Sequence, residues 1–506
     1  MKHYKEVCSA IFSEHEKCER YKTGLGRRGL YEQTKQNKRF YDGDQWYGAR
    51  TSPDKPLVRQ NIIKRLGEYK TSVVAGTQID VSFTPAGVNT KAAAAVATEQ
   101  KKELISGNIK KFGKLTDSEI LLASEAFSSY FNTLAKRINF ESVCNKALIN
   151  AYVSGTGAVH IYWDPTVKTG LFADDNHTQA IKGDICAEVI DIQNIDFHDP
   201  SVCDVQNQEY IIISSRKTVE SLKREARLNG IPKSIVSQIK GDESFGSMEA
   251  DYSKKATVLT KFYKKYDESG RCSVYAIRVC KGAIIKKEWD TGLSVYPIAL
   301  FSWNDGDTIY SESEITNLIP NQIAINRMLT AAVWATMMSG MPIMLVNSDV
   351  IDEPITNNPG QIISFTGEGE DFEHSIKYIE PPTISKEFDT ISSKLIENTL
   401  SSAGATSAAL GELEAKNTSA IIAVEEAARI PLNMHKKRYL VFLETLANLM
   451  LEFMFKKYST RSLLQKDSDG IWYFPFESSR YSDYVFFADA QYVRDELEQQ
   501  LLEEEL

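Results

Sequence analysis

The sequence predicts an α+β protein in several subdomains, with a mixed N-terminal half and a C-terminal half of long helices that brackets a small β-rich module. Three observations carry this. A chain of 506 residues exceeds the size at which one hydrophobic core keeps growing. Hydrophobic residues at 42% and charged residues at 25% are ordinary globular proportions and argue against wholesale disorder. The apolar pattern is largely strand-like between residues 157 and 303 and shifts to helical spacing after about residue 312.

The N-terminus, MKHYKEVCSAIFSEHEKCERYK, is charged throughout, lacks a signal-peptide core and reads as an amphipathic helix. VRQNIIKRLGEYKTSVVAG (58–76) has apolar residues at helical spacing, and TQIDVSFTP alternates as a strand until Pro85 stops it. One long helical pattern follows from about Asp117 to Tyr152, ended by Ser154-Gly155-Thr156-Gly157. AVHIYWD, ICAEVIDIQNIDFHDP, TVLTKFYKKYD, CSVYAIRVCKGAIIKKEWD and YPIALFSW read as strands, with residues 164–184 as a hairpin connection and 241–256 as a surface loop.

Ser311 and Glu314 have capping-box spacing at the head of a helix that runs to about Ser339, bent or restarted near Pro320. Residues 341–383 form a short module with strands PIMLVN, GQIISFT and HSIKYIE. A second helix follows, with Ile384, Phe388, Ile391, Leu395 and Thr399–Leu400 at helical spacing, and it runs into SAGATSAALGELEAKNTSA (402–420). That small-residue stretch has linker composition, although both neighbouring helices belong to packed structure. Thr418 or Ser419 can cap the next long helix, which Pro431 should kink. GIWYFPFES and YSDYVFFADA form a last strand pair before a short acidic helix.

Net charge is −9, so tight binding of a polyanion is not the default reading. Seven cysteines without a CxxC pair suit neither a disulfide scaffold nor a zinc site. Residues 329–346, LTAAVWATMMSGMPIMLV, are 18 residues without a charge, the lower edge for a membrane span. Gly340 and Pro342 break the run, and the helix carries Asn321, Gln322, Asn326 and Arg327, so burial by protein neighbours is the better reading.

The search for chemistry finds no catalytic residues, metal site or cofactor. GLGRRG (24–29) matches GxGxxG but follows a helical segment and reads as a turn. There is no GxxxxGK[ST] phosphate loop. His160, His177 and His198, among Asp174, Asp175, Asp196 and Asp199, have no compact metal-ligand spacing. HKKR (435–438) reads as a solvated face or intersubunit ion pairs sooner than as a phosphate contact. Glu368, Glu370 and Asp371 make an acidic turn, a solubility feature or a docking surface for a basic partner.

FYDGDQW (40–46), the Asn-led 58–85 segment, GTGAVHIYWD, IDFHDP, NPGQII, and AGATSAALGE followed by NTSAIIAVEEAA occur in an order that resembles the portal proteins of tailed bacteriophages. The resemblance covers at least 40–450. It implies a portal-like fold: an α/β wing from 1–312 with the strands of 471–488, stem helices at 313–340 and 384–402, and a β-rich clip at 341–383. A tunnel loop at 403–417, a kinked helix at 418–456, and a minimal crown or acidic tail at 489–506 complete it. The implied function is a homo-oligomeric ring, usually of twelve subunits, at one capsid vertex of the virion, assembled in the host bacterial cytoplasm. Double-stranded DNA would pass through it weakly and non-specifically. Large terminase, a head-tail adaptor, and the major capsid and scaffolding proteins are the implied partners, with no enzyme activity, no cofactor and no membrane. Thr406, Ser407, Glu412, Glu414, Lys416 and Asn417 would line the channel. Asp352, Glu353, Glu368, Glu370 and Asp371 would present the clip to its partners. Another head-tail connector or adaptor ring protein is the alternative.

Overall fold

The computed structural model describes residues 2–26, 28–50, 56–76, 79–87, 116–172, 180–242, 254–340, 344–346, 351, 376–378, 386–405, 430–458, 460–467, 470–481 and 484–492. It mixes helix and sheet, as the α+β class requires. The chain divides into two units. The first comprises Met1–Lys38, Gly67–Thr316 and Arg429–Leu506, the second Arg39–Leu66 and Asn317–Ala428.

The first unit is built on an antiparallel sheet of five strands in the order β4(Ile195–Phe197), β5(Tyr210–Thr218), β6(Lys255–Tyr266), β7(Cys272–Cys280) and β8(Ala283–Asp290). Its two faces are both apolar, and successive isoleucines of β5 show why. Ile212 enters one core while Ile211 and Ile213 enter the other, the period-2 alternation of a strand buried on both sides. The first core holds residues of α1(Lys2–Gly24), α6(Val219–Leu228) and α7(Lys233–Val236). The second holds residues of a three-stranded sheet, β3(Ala180–Asp191), β2(Thr156–Phe172) and β9(Ile298–Ser302). The described residues of GLGRRG after Gly24 link α1 to α2(Leu30–Tyr41), with Gly26 and Gly29 at positive φ.

The pattern from 117 to 152 is two helices, not one. α4(Asp117–Ile138) opens with a capping box of Thr116 and Glu119, and Asn139 at φ 53° and ψ 50° separates it from α5(Phe140–Ser154). The two glycines after α5 are required by close approach. A β-carbon on Gly155 (φ +92°) would stand 1.8 Å from the Ser311 carbonyl oxygen, and one on Gly157 would stand 2.0 Å from that of Ala147.

GIWYFPFES and YSDYVFFADA, expected to pair with each other, take different partners. β12(Thr460–Asp467) pairs with β13(Gly470–Glu477), whereas β14(Phe486–Tyr492) pairs with β1(Ile79–Pro85), placing Ile79 opposite Tyr492. Asp489–Tyr492 are therefore strand, not tail. Phe127 of α4 is fully buried and meets Phe455, Phe476, Tyr481 and Phe486 edge-on, with centroids 5.2–5.9 Å apart. Pro431 lies in a 3-10 turn, Ile430–Leu432, that leads into α10(Asn433–Lys457).

The second unit carries most of α8(Glu314–Gly340), the strand pair β10(Met344–Val346) and β11(Ile376–Tyr378), and α9(Lys386–Ser402). Pro320 sits in the second turn of α8 without ending it. The Ser313 hydroxyl accepts the second amide of α8, that of Ile315, at 3.1 Å. Glu314 instead accepts hydrogen bonds from Lys70 and from the Trp303 indole, so the expected Ser311–Glu314 capping box is replaced by a cluster within the first unit.

Candidate functional site

Residues 56–61, expected in part to open a helix, take no regular secondary structure, and α3(Ile62–Ala75) begins only after them. The reason is a ladder of side chains on α8. Thr330 accepts the Val58 N–H at 3.1 Å, Asn326 that of Gln60 at 3.1 Å, and Gln322 that of Ile62 at 3.1 Å. Three side chains at i, i+4 and i+8 thus satisfy every second amide of an antiparallel segment. Four helical residues advance about 6 Å and two extended residues about 6.6 Å, so the two repeats stay in step. Gln322 also donates to the Gln60 carbonyl, Asn326 donates to Gln45 at 2.9 Å, and the Trp46 indole donates to the Val58 carbonyl at 3.2 Å. Gln45, Gln322 and Asn326 are at most 1% exposed, so each bond is made away from water.

Beyond Thr330 the same helix changes. Ala331, Val333, Thr336, Met337, Met338 and Ser339 are exposed, Met337 to 46%, and no residue from Met328 to Gly340 is charged. No helix among the described residues is long and apolar enough to cross a membrane. Asn321, near the start of α8, donates to Thr399, near the end of α9, while β10 and β11 pair antiparallel. The two helices therefore run in opposite directions, with an exposed apolar end on α8 and with Leu345 and Val346 exposed in the strand after it.

α9 ends in a defined stop. Gly404, at φ +74°, donates to the Ser401 carbonyl and Ala405 to that of Leu400, the paired bonds of a Schellman motif. Ala403 and Ala405 are buried. The first three residues of the expected tunnel loop, 403–405, are thus a helix cap. Thr406, Ser407, Glu412, Glu414, Lys416 and Asn417 lie outside the described residues, as do Asp352, Glu353, Glu368, Glu370 and Asp371.

The other candidate groups have structural employment. His160 meets Glu188 at 3.1 Å and His198 meets Glu209 at 3.4 Å, both between neighbouring side chains, while His177, Asp174 and Asp175 lie outside the described residues. Asp196 is 1% exposed at its side chain and bonds Lys22 Nζ and His15 Nδ1, each at 2.5 Å. His15, Glu19 and Asp196 bring potential ligand atoms within 4.8 Å of one another, but the Lys22 ammonium already stands among them, bonding Asp196, Glu19 and the Gln193 carbonyl. A metal ion there would meet a full positive charge. Burial opposes protonation of His15, yet the hydrogen bond and charge of Asp196, with Glu19, outweigh it and raise its pKa above 6.5.

In HKKR, Arg438 bonds the Trp303 carbonyl and Asp305, Lys436 lies 5.5 Å from the Tyr492 ring centre, and Lys437 is exposed. His435 packs on Trp303 with centroids 4.6 Å apart, and both its ring nitrogens are buried without a hydrogen-bond partner among the described residues. Burial, then Lys70 and Arg438, lower its pKa below 6.5. The chain matches no family model and no curated protein.

Proposed function

We propose that this chain is a portal-type ring subunit, about twelve copies of which form the DNA channel at one capsid vertex and the platform for terminase and adaptor. The observation that carries the reading is the uncharged, exposed end of α8. A water-exposed helix end with no charge over three turns, carrying Val333, Met337 and Met338, offers the kind of apolar surface that marks an interface. In a ring each such end meets a different face of the next subunit, so one patch per chain closes the circle. The antiparallel α8 and α9 with a paired strand at their far end suit the stem and the base of the clip. The Schellman stop at Gly404 suits an abrupt exit from the second stem helix into the channel loop.

Light scattering on the purified protein, with electron microscopy of the same peak, tests this. A chain of 56.9 kDa should give an open ring of about 0.7 MDa. A dimer or other small closed oligomer overturns the proposal. The loop assignment has its own test. Ser407→Lys with Ala408→Lys should slow or block packaging by adding cations that hold the phosphate backbone, and normal DNA filling would exclude a channel role for these residues.

A further inference from the structure

Side chains of neighbouring helices take the outward amides of the β1–β14 pair. Asn448 and Glu444 of α10 accept the Ala488 and Ala490 N–H groups at 3.0 and 3.3 Å, and Ser128 of α4 accepts that of Phe83 at 2.9 Å. β9, the edge of the three-stranded sheet, departs from this. Ile161 N–H bonds the Pro297 carbonyl and Trp303 N–H that of Gly155. The odd-numbered residues of β9 therefore bond β2, and Ile298, Leu300 and Ser302 turn their N–H and C=O groups outward. The outward row starts covered. The Gln206 amide accepts the Tyr296 N–H at 2.8 Å and donates to the Tyr296 carbonyl at 3.0 Å, as a neighbouring strand would. Past it, Ile298, Leu300 and Ser302 have no hydrogen bond on that side among the described residues. They line a cavity of about 270 Å³ whose other walls include Asp204, Asn304, Asp305 and Thr445 of α10.

We propose that the outer edge of β9 is a docking site for an extended, Lys- or Arg-flanked segment of a partner protein, which adds to the sheet as a fourth strand. An unpaired row of N–H and C=O groups is a template for such a strand, and main-chain bonds supply most of the attraction. The cavity is smaller than the roughly 300–1,000 Å³ of small-molecule sites, which suits one strand of backbone sooner than a compact ligand. Its charge states the partner's chemistry. Asp204 and Asp305 line it, and no Lys, Arg or His does. Asp305 bonds Arg438, whereas Asp204 bonds only neutral donors among the described residues, the Gln206 N–H and the Asn207 amide. A second copy of this chain, at a net charge of −9, is the poorer source of a basic segment. The inference does not depend on ring assembly.

The test uses the full-length protein and a seven-residue peptide of alternating Val and Thr with Lys at both ends, followed by calorimetry and backbone hydrogen exchange. Saturable binding is expected, with new protection of the Leu300 and Ser302 amides and no change at Phe301. Ser302→Pro removes an outward N–H, leaves the bonds to β2 in place, and should weaken binding about tenfold or more. Asp204→Asn keeps an oxygen for the Gln206 N–H and should reduce the preference for Lys ends over Glu ends. The same peptide with its backbone N–H groups methylated should not bind, which keeps the test decisive where Ser302→Pro impairs folding. No saturation, or binding unchanged by methylation, overturns the proposal. Equal binding of a Glu-ended peptide overturns the basic partner. Slow exchange at Leu300 and Ser302 in the protein alone also overturns it, in favour of an edge covered by another copy of the chain.

Discussion

Lys22 and Asp196 are both removed from water, at 0% and 1% side-chain exposure, so neither charge is tolerable without the other. Lys22→Met should destabilise the first unit by about 3–5 kcal/mol, because it leaves the carboxylate with His15 alone. Adding Asp196→Asn should recover part of that loss, and denaturant unfolding of the single and double variants checks both. The two perturbed histidines of this unit act with opposite sign. His435 has a folded pKa below 6.5, so the unfolded chain holds more protons between the two values. Its contribution is present above 6.5 and is lost as pH falls through 6.5 toward the folded value. His15 has a folded pKa above 6.5, so its contribution is full below 6.5 and is lost as pH rises through the folded value. Thermal midpoints measured across this range should lose their acid-side fall in His435→Gln and their alkaline-side fall in His15→Gln. His435 was legible only as one member of a basic cluster, since nothing local announces that Trp303, 132 residues earlier, will cover its ring.

At the scale of elements, the ladder of Gln322, Asn326 and Thr330 holds a strand-like segment with side chains where a sheet would use backbone. Asn326→Leu removes an acceptor for Gln60 and a donor to Gln45, and should cost about 1–3 kcal/mol for each buried group left unpaired. Faster hydrogen exchange at Val58, Gln60 and Ile62 would report the release, and unchanged exchange would show that the ladder does not hold the segment. Asn326→Asp keeps the acceptor and should disturb these amides less. Gly404→Ala should shorten α9 at its C-terminal turn, at a cost of about 1–2 kcal/mol for a non-glycine residue in the left-handed region. In the sequence Gln322 and Asn326 count only as polar residues that oppose a membrane span, and Thr330 is one small residue of an uncharged run. What was missing was the partner, because a segment 260 residues away shows no local sign of being read by a helix.

For the whole molecule, the exposed end of α8 makes assembly depend on apolar contact. Val333→Glu with Met337→Glu should leave unfolding of the isolated chain nearly unchanged, since both positions are open to solvent, at 39% and 46% exposure. It should reduce the light-scattering mass well below that of the wild-type assembly. An unchanged mass would remove α8 from the interface, although a ring closed through other surfaces would remain possible to test by microscopy.

The sequence by itself determined the α+β class, many of the helices and strands, and the order of a long helix, short strands and a second helix. These follow from periodicity, turn residues and charge, which act over a few neighbouring positions. Tertiary structure alone decided the rest. It split the 117–152 helix at Asn139, kept 56–61 out of the helix, gave Glu314 to Lys70 and Trp303, and paired β14 with β1 across the length of the chain. Each of these is a choice of partner for a polar or edge group, and a group that must be satisfied on burial takes the partner that packing brings to it, however distant in sequence.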